Sequence, residues 1–199
     1  MTQIKMRTQN MSSVIKRSVA RGFTLIELLI VVIILAILAA IAIPQFSSST
    51  VDAQLSALDS NLATVRSAIE QYRVQHNGNV YPGAVAVAGG TVCPNNGGNS
   101  VAAAVGEAAL RAQLSMFTNA AGEACPTGDT TFRFGPYLRQ GIPTEPFSNS
   151  NAVTVPANGA APVAVAAGLG WAYSTGTGQF IKNNTAADGG VNNRPFNQH

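Results

Sequence analysis

The feature that most constrains this 199-residue chain is an unbroken run of sixteen apolar residues, Leu28 to Ile43. Counted from Phe23, the segment has 21 residues. As an α-helix it would be about 31 Å long at ~1.5 Å per residue, which matches the ~30 Å hydrocarbon core of a bilayer. The run therefore predicts a membrane-spanning helix over residues 23–43.

The charges are unevenly distributed around that run. Residues 1–22 hold five Lys and Arg and no acid, whereas the remaining 177 residues hold seven Lys and Arg against nine Asp and Glu. Cations before an apolar span keep that end in the cytoplasm, so we expect the rest of the chain outside. Charged residues make up only 11% of the chain, against a usual ~25%, and no basic patch is visible, so we expect no nucleic-acid partner.

Two ordinary interpretations of the apolar segment are open. A secretory signal peptide would be cleaved after Ala42, where Ala40-Ile41-Ala42 resembles a signal-peptidase site, but its apolar core is usually only ~7–15 residues. A plain single-pass anchor would have no use for Glu27, the carboxylate inside the first turns. A carboxylate at membrane depth costs ~2.5–3.5 kcal/mol, so it normally has a function and a partner.

The octapeptide from Arg21 to Leu28, RGFTLIEL, resembles the processing motif of type IV prepilins and related pseudopilins. The resemblance covers residues 21–46. It implies that a prepilin peptidase cuts after Gly22 and methylates the new N-terminal Phe23. It also implies that Glu27 meets the N-terminal amine of a neighbouring subunit. The lack of a Cβ at Gly22 would permit the extended backbone that a protease needs, so Gly22→Val should block processing.

An amphipathic pattern follows the apolar run. Seven apolar residues recur at alternating spacings of four and three: Val51, Leu55, Leu58, Leu62, Val65, Ile69 and Tyr72. This stripe favours a helix that continues past Pro44, which should kink it, although Pro44 could instead end it. Asn77-Gly78 is a typical C-terminal stop. The alternative of a coiled coil is weaker, because charge-complementary flanks are missing.

These patterns divide the chain into three parts. Residues 1–22 form a positively charged leader, and residues 23–77 a single helix about 83 Å long at ~1.5 Å per residue. Its first half, 23–43, is the transmembrane and assembly segment, and its second half, 44–77, is amphipathic. Residues 78–199 form a globular head, on which the second half packs while the first half protrudes.

The predicted fold class is α+β, with the long N-terminal helix packed on a small antiparallel sheet. In the head, helical spacing of Leu110, Leu114 and Phe117 predicts a helix over 101–118. Strands are predicted over 130–134 and 168–174, the latter joined by the turn 175–178 to residues 179–182 as a hairpin. Loops are expected over 79–100 and 149–167.

Cys93 and Cys125 are the only cysteines. In an extracytoplasmic compartment two cysteines usually pair, so we predict a disulfide that encloses the head helix. Two separate buried thiols are the alternative.

No catalytic constellation stands out. His76 and His199 are isolated, and the chain has no CxxC, HExxH or phosphate-binding glycine loop. Asp188-Gly189-Gly190 could help to hold calcium, but such a segment is more often a plain turn. We therefore expect no enzyme activity, no cofactor and no metal.

The predicted function is that of a structural subunit. An apolar rod has to lie in lipid or pack on copies of itself, so the resemblance implies a homopolymer built from subunits stored in the inner membrane. It implies prepilin peptidase and a membrane assembly machine as partners, and an extracellular or periplasm-spanning filament as the product. Residues 135–138 and the prolines after them weakly resemble major pseudopilins, which keeps a type II secretion pseudopilin as the alternative. A non-polymerising anchored binding module is a third.

Overall fold

The computed structural model describes residues 22–76, 78, 80–94, 98, 100–165 and 168–186, without the side chains of residues 42–48. The chain divides into two compact units, Met1–Pro44 and Gln45–His199. They are called the first and second unit below.

Helix α1 runs from Leu25 to Gln75. It is assigned through Pro44, so the alternative that Pro44 ends the helix is wrong, while the kink there stays a prediction. At the C-terminal end, Gly78 has a φ of 74° and donates its N–H to the carbonyl of Arg73 at 2.7 Å. A left-handed glycine of this kind is a common helix stop.

Membrane crossing is a separate question from helix formation. Among the described residues, no helix has the length and apolarity required to span a bilayer. The prediction that residues 23–43 are transmembrane is therefore not confirmed.

The amphipathic stripe of α1 forms the main core of the second unit. Its side chains at Leu58, Leu62, Val65, Ile69 and Tyr72 are at most 1% exposed. They form one cluster with three aromatic residues of the sheet, Trp171, Tyr173 and Phe180. Helical spacing places all five helix residues on one face, and burial of that face is what fixes this part of α1.

Among its described residues, the second unit contains one further α-helix and five short strands. Helix α2 spans Glu107–Ser115. Strands β1 (Phe117–Thr118) and β2 (Ala124–Cys125) form an antiparallel pair. Strands β3 (Val153–Thr154), β4 (Trp171–Tyr173) and β5 (Phe180–Lys182) form a sheet in that order. A 3₁₀ turn, Ala157–Gly159, follows β3.

The predicted hairpin is confirmed: β4 and β5 pair antiparallel, with Tyr173 opposite Phe180. The predicted helix 101–118 is present but shorter. It begins after Gly106, whose φ of 109° is one that residues with a side chain rarely adopt. Phe117, which was expected on the helix face, lies in β1 and packs near the cysteines.

Two expectations for the second unit are wrong. Residues 130–134 form no strand; their only ladder contact is an isolated bridge from Phe134 to Thr118. The expected loop 149–167 contains β3, which pairs parallel with β4. The three-stranded sheet is therefore mixed, because a crossover rather than a hairpin turn joins β3 to β4.

Candidate functional site

The candidate site is the beginning of α1. Residues 22–24 precede the helix, and the Phe23 side chain is 83% exposed. Thr24 is the N-cap, since its carbonyl accepts a bond from the N–H of Leu28 at 3.3 Å. The predicted cleavage bond between Gly22 and Phe23 therefore lies outside the helix.

Glu27 is bonded within its own chain. Its Oε2 accepts the backbone N–H of Thr24 at 2.8 Å and the Thr24 hydroxyl at 2.7 Å. In return, the Glu27 N–H donates to the Thr24 Oγ1 at 3.3 Å. This reciprocal pattern is a capping box, which satisfies donors at a helix start.

Thr24 is a site residue that the sequence interpretation missed. The signal was present, because Thr-x-x-Glu directly before an apolar run is the sequence signature of a capping box. That interpretation sought the partner of Glu27 on another subunit, whereas the structure provides one three residues away.

The apolar residues that follow are exposed around the whole helix. Between Leu25 and Ile41, the exposed fraction of the large apolar side chains ranges from 46% at Val32 to 85% at Leu25. Keeping apolar surface out of water is worth ~25 cal/mol per Å². This helix is therefore more stable in any environment that removes its apolar surface from water.

Two predicted site residues keep the status of predictions. A Cβ at Gly22 would meet no atom within 4 Å, so the folded chain itself does not demand glycine there. Any requirement for Gly22 would have to arise outside the folded chain. The side chain of Pro44 is outside the described set.

The predicted disulfide is present between Cys93 and Cys125, whose Cα atoms are 5.7 Å apart. Both residues are buried and pack with Phe132. The bond joins the segment before α2 to strand β2. It therefore closes a loop that contains α2, as predicted.

A buried ion pair joins a loop to β5 in the second unit. Lys182 Nζ lies 3.1 Å from Glu145 Oε1, and both side chains are at most 2% exposed. Burial alone would raise the pKa of Glu145, but hydrogen bonds from Ser148, Phe147 and Lys182 outweigh it and hold that pKa below its usual range. Burial lowers the pKa of Lys182, against the opposing effect of Glu145.

His76 fastens the end of α1 to the β1–β2 turn. Its Nδ1 lies 2.9 Å from the carbonyl oxygen of Tyr72, and its Nε2 lies 2.9 Å from that of Asn119. The ring stacks on Tyr72 at 3.9 Å. Burial lowers the pKa of His76, although both carbonyl contacts oppose this. The arrangement is structural: both ring nitrogens face backbone carbonyls, and the neutral ring, which has one N–H, donates to only one of them.

Within the described residues, no group of three or more His, Cys, Asp and Glu side chains could hold a metal ion. The calcium alternative at residues 188–190 falls outside those residues.

Comparison with known proteins places the same segment in context. Residues 17–43 match the family model described as the prokaryotic N-terminal methylation motif. The match contains the proposed cleavage site, Thr24 and Glu27, and it ends where the apolar run ends.

Several similar proteins are pilus components. The chain is 52% identical over 54 residues to the type IV major fimbrial protein FimA of Dichelobacter nodosus, covering 27% of this chain and 35% of FimA. It is 36% identical over 115 residues to the type IV major pilin protein PilA of Myxococcus xanthus, covering 58% and 51%. It is also 36% identical over 55 residues to the type II secretion system core protein G of Pseudomonas aeruginosa, covering 28% and 39%.

The chain thus aligns with well under two thirds of the length of each of these relatives. No solved structure matches it. Together, the methylation motif and these relatives support the membership of this chain in the type IV pilin family.

Proposed function

We propose that this protein is a structural subunit of a type IV pilus-like filament, processed after Gly22, methylated on Phe23 and polymerised through the first half of α1. The observation that carries the proposal is the coincidence of two features in one segment. The methylation motif covers residues 17–43, and the helix in it exposes apolar side chains on every side.

The apolar surface of the first half of α1 needs a cover at every stage. Before assembly, the segment is stored in the inner membrane as a single span, with the basic leader in the cytoplasm. During assembly, lipid contacts are exchanged for contacts with other copies. The same patch cannot face itself in a lengthwise stack, so the contact is head-to-tail and builds a helical filament.

Glu27 sets the register of that stack. Cleavage after Gly22 creates a new α-ammonium group on Phe23, four residues before Glu27. Pairing of this cation with the Glu27 carboxylate of an adjacent copy neutralises both groups in a region of low dielectric constant. An unpaired charge at that depth would be strongly disfavoured.

The partners of the protein are of three kinds: further copies of the chain, a prepilin peptidase, and the membrane machinery that assembles pili. The resulting filament is extracellular or spans the periplasm. The role is structural rather than enzymatic, in keeping with the pilin and fimbrial names of the relatives.

A pseudopilin of a type II secretion system is the second candidate. The similarity to the core protein G of such a system supports it. Deletion of the gene separates the two candidates, because loss of surface fibres, twitching or adhesion favours a pilus, and loss of exoprotein secretion favours a pseudopilin.

The decisive experiment is intact mass measurement with N-terminal sequencing of the mature protein from its native cells. We expect a chain that begins with N-methylated Phe23 and is recovered in a sheared filament fraction. A chain that begins at Ile43 would instead indicate a secretory signal, and an intact leader on a monomeric protein would contradict the proposal.

A further inference from the structure

We propose that the second unit makes a contact of its own with the next copy of the chain, in which an apolar patch at one end of the β4–β5 hairpin fills a cleft at the other end. The inference rests on the proposed function, and it adds to the filament an interface outside the first half of α1.

The apolar patch lies where β4 begins and β5 ends. It consists of Val163, Val165 and Leu169, whose side chains are 68%, 51% and 60% exposed. The N–H of Gly168 donates to the carbonyl of Val165 at 3.0 Å and closes a turn between them. Asn183, which directly follows β5, accepts the Val165 N–H at 3.3 Å and donates to the Leu169 carbonyl at 3.4 Å. The patch is therefore fastened to the sheet by hydrogen bonds.

A cleft of about 580 Å³ lies at the other end of the hairpin. Strands β3 and β4 are parallel, so the residues that follow them, among them Pro156 and Thr175, meet at this end. Val105, from the segment before α2, forms a further wall and is 60% exposed. None of the lining residues carries a charge, and most of the lining side chains are aliphatic. The cleft is therefore suited to an apolar occupant.

The patch and the cleft are separated by the length of the hairpin. Leu169 precedes β4 and Thr175 follows it, so six residues of extended chain put about 20 Å between them at ~3.3 Å per residue. The patch therefore does not reach the cleft of its own copy. A patch that fits a cleft elsewhere on the same molecule makes a head-to-tail contact, which repeats in one direction and builds a filament.

The size of the patch points to a second copy within a filament and not to a free dimer. Three partly exposed aliphatic side chains offer roughly a few hundred Å² at most, whereas a stable complex buries ~800 Å² on each partner. Such a contact gains strength where another interface already holds the copies together. The proposed packing of α1 supplies that interface.

The test introduces pairs of cysteines into the full-length chain, expressed in its native cells. Val163→Cys places a thiol in the patch, and Ala157→Cys places one in the cleft. Sheared filaments of the double variant are treated with an oxidant and, in parallel, with a short bismaleimide, which tolerates a wider range of geometries than a disulfide does. Because each copy is then joined to a neighbour at both ends, we expect a ladder of covalent multimers on a denaturing gel.

The matched controls keep the thiols but break the pairing. Val163→Cys alone and Ala157→Cys alone place one thiol at each contact and should give no cross-linked product. Val74→Cys/Ala157→Cys has its first thiol at a valine outside the patch that is 71% exposed, and it should give no ladder. The pair Leu169→Cys/Val105→Cys samples the same contact a second time and should give a ladder.

A charge in the patch tests the contact without cross-linking. Val163→Asp should lower the ratio of sheared filament to membrane-stored subunit about fivefold or more, because the contact would bury an unpaired carboxylate. Val74→Asp should stay within about twofold of the parent, as surface substitutions usually do.

The inference is overturned if parent filaments form but neither cysteine pair gives a ladder, or if the pair with Val74→Cys gives the same ladder. It is also overturned if Val163→Cys alone is cross-linked, since patch would then face patch, or if Val163→Asp assembles like the parent. Each of these outcomes leaves the proposed function standing, because the filament itself has formed. A parent chain that forms no filament contradicts the proposed function first.

Discussion

The two halves of α1 carry many apolar side chains but dispose them differently. Between Leu25 and Ile41 they surround the helix and are all exposed, whereas between Leu58 and Tyr72 they form one stripe that is buried. The two units also differ in the surroundings of their carboxylates. Glu27 in the first unit is bonded locally to Thr24, while Glu145 in the second unit is fully buried beside Lys182.

The two units are therefore stabilised by different partners. The second unit covers its own apolar stripe with its sheet, and it pairs its buried charges with each other. The first unit has an apolar surface for which the described residues provide no cover. The second unit should therefore respond to core substitutions as an independent domain does, and the first unit should respond in assembly.

The largest expected effect comes from breaking the buried ion pair. Lys182→Ala leaves the buried Glu145 carboxylate without its cation, which should lower the free energy of unfolding by about 3–5 kcal/mol. The measurement is urea unfolding in detergent, followed by the fluorescence of Trp171, the only tryptophan and a fully buried residue.

The matched control is the exposed pair of Glu70 and Arg73, whose side chains are 52% and 36% exposed. Glu70→Ala should change the free energy of unfolding by less than about 1 kcal/mol. Equal losses in the free energy of unfolding for Lys182→Ala and Glu70→Ala would contradict the expectation that a buried ion pair matters more to stability than an exposed one.

Removal of the disulfide should have the next largest effect on the free energy of unfolding. Replacement of both Cys93 and Cys125 by Ala should lower the free energy of unfolding by about 3–4 kcal/mol, as the chain-entropy model gives for a loop of this size. The same unfolding measurement applies. The parent treated with a reductant should approach the double variant, and a parent that is insensitive to reductant would count against a stabilising bond.

A pair of leucine truncations compares the two halves of α1 directly. Leu62→Ala removes a side chain that is 1% exposed and should cost about 2–3 kcal/mol or more in the unfolding of the second unit. Leu35→Ala, at a side chain that is 57% exposed, should change it by less than about 0.5 kcal/mol. Leu35→Ala should instead reduce the filament yield. An equal loss of stability in both variants would contradict the expected difference between the two halves of α1.

The smallest effect is the pH dependence of stability. Because the pKa of buried His76 lies below its usual 6.5, the unfolded chain takes up a proton first, so stability falls as the pH drops from 6.5 through the lowered value. The depressed pKa of Glu145 adds stability above pH 4.5, which is lost as the pH falls through its lower folded value.

His76→Gln separates these two pH ranges. The free energy of unfolding, measured against pH, should show that the variant lacks the loss of stability below pH 6.5. It should retain the loss of stability below pH 4.5. A parent whose stability is constant as the pH falls from 6.5 towards the acid range would contradict the assignment to His76.

Much of the fold follows from local patterns in the sequence. The spacing of the apolar residues from Leu58 to Tyr72 predicted that they are buried. Helical periodicity places them on one face of the helix, and an apolar face is excluded from water. The hairpin of β4 and β5 followed from alternating aromatics and a glycine turn. The Thr24 cap was equally local, and only its signature was overlooked.

Other features depend on residues far apart in the sequence. Glu145 and Lys182 meet only because the sheet brings β5 beside the loop that starts at Glu145. The parallel pairing of β3 with β4 is of the same kind.

By itself, the sequence determined the methylation motif, the apolar segment, the amphipathic stripe of α1 and the cysteines available for pairing, because these properties reside in residues close together along the chain. The tertiary structure alone decided which charges are buried and which strands pair. Those outcomes depend on desolvation and hydrogen-bond geometry, which exist only once the chain is folded.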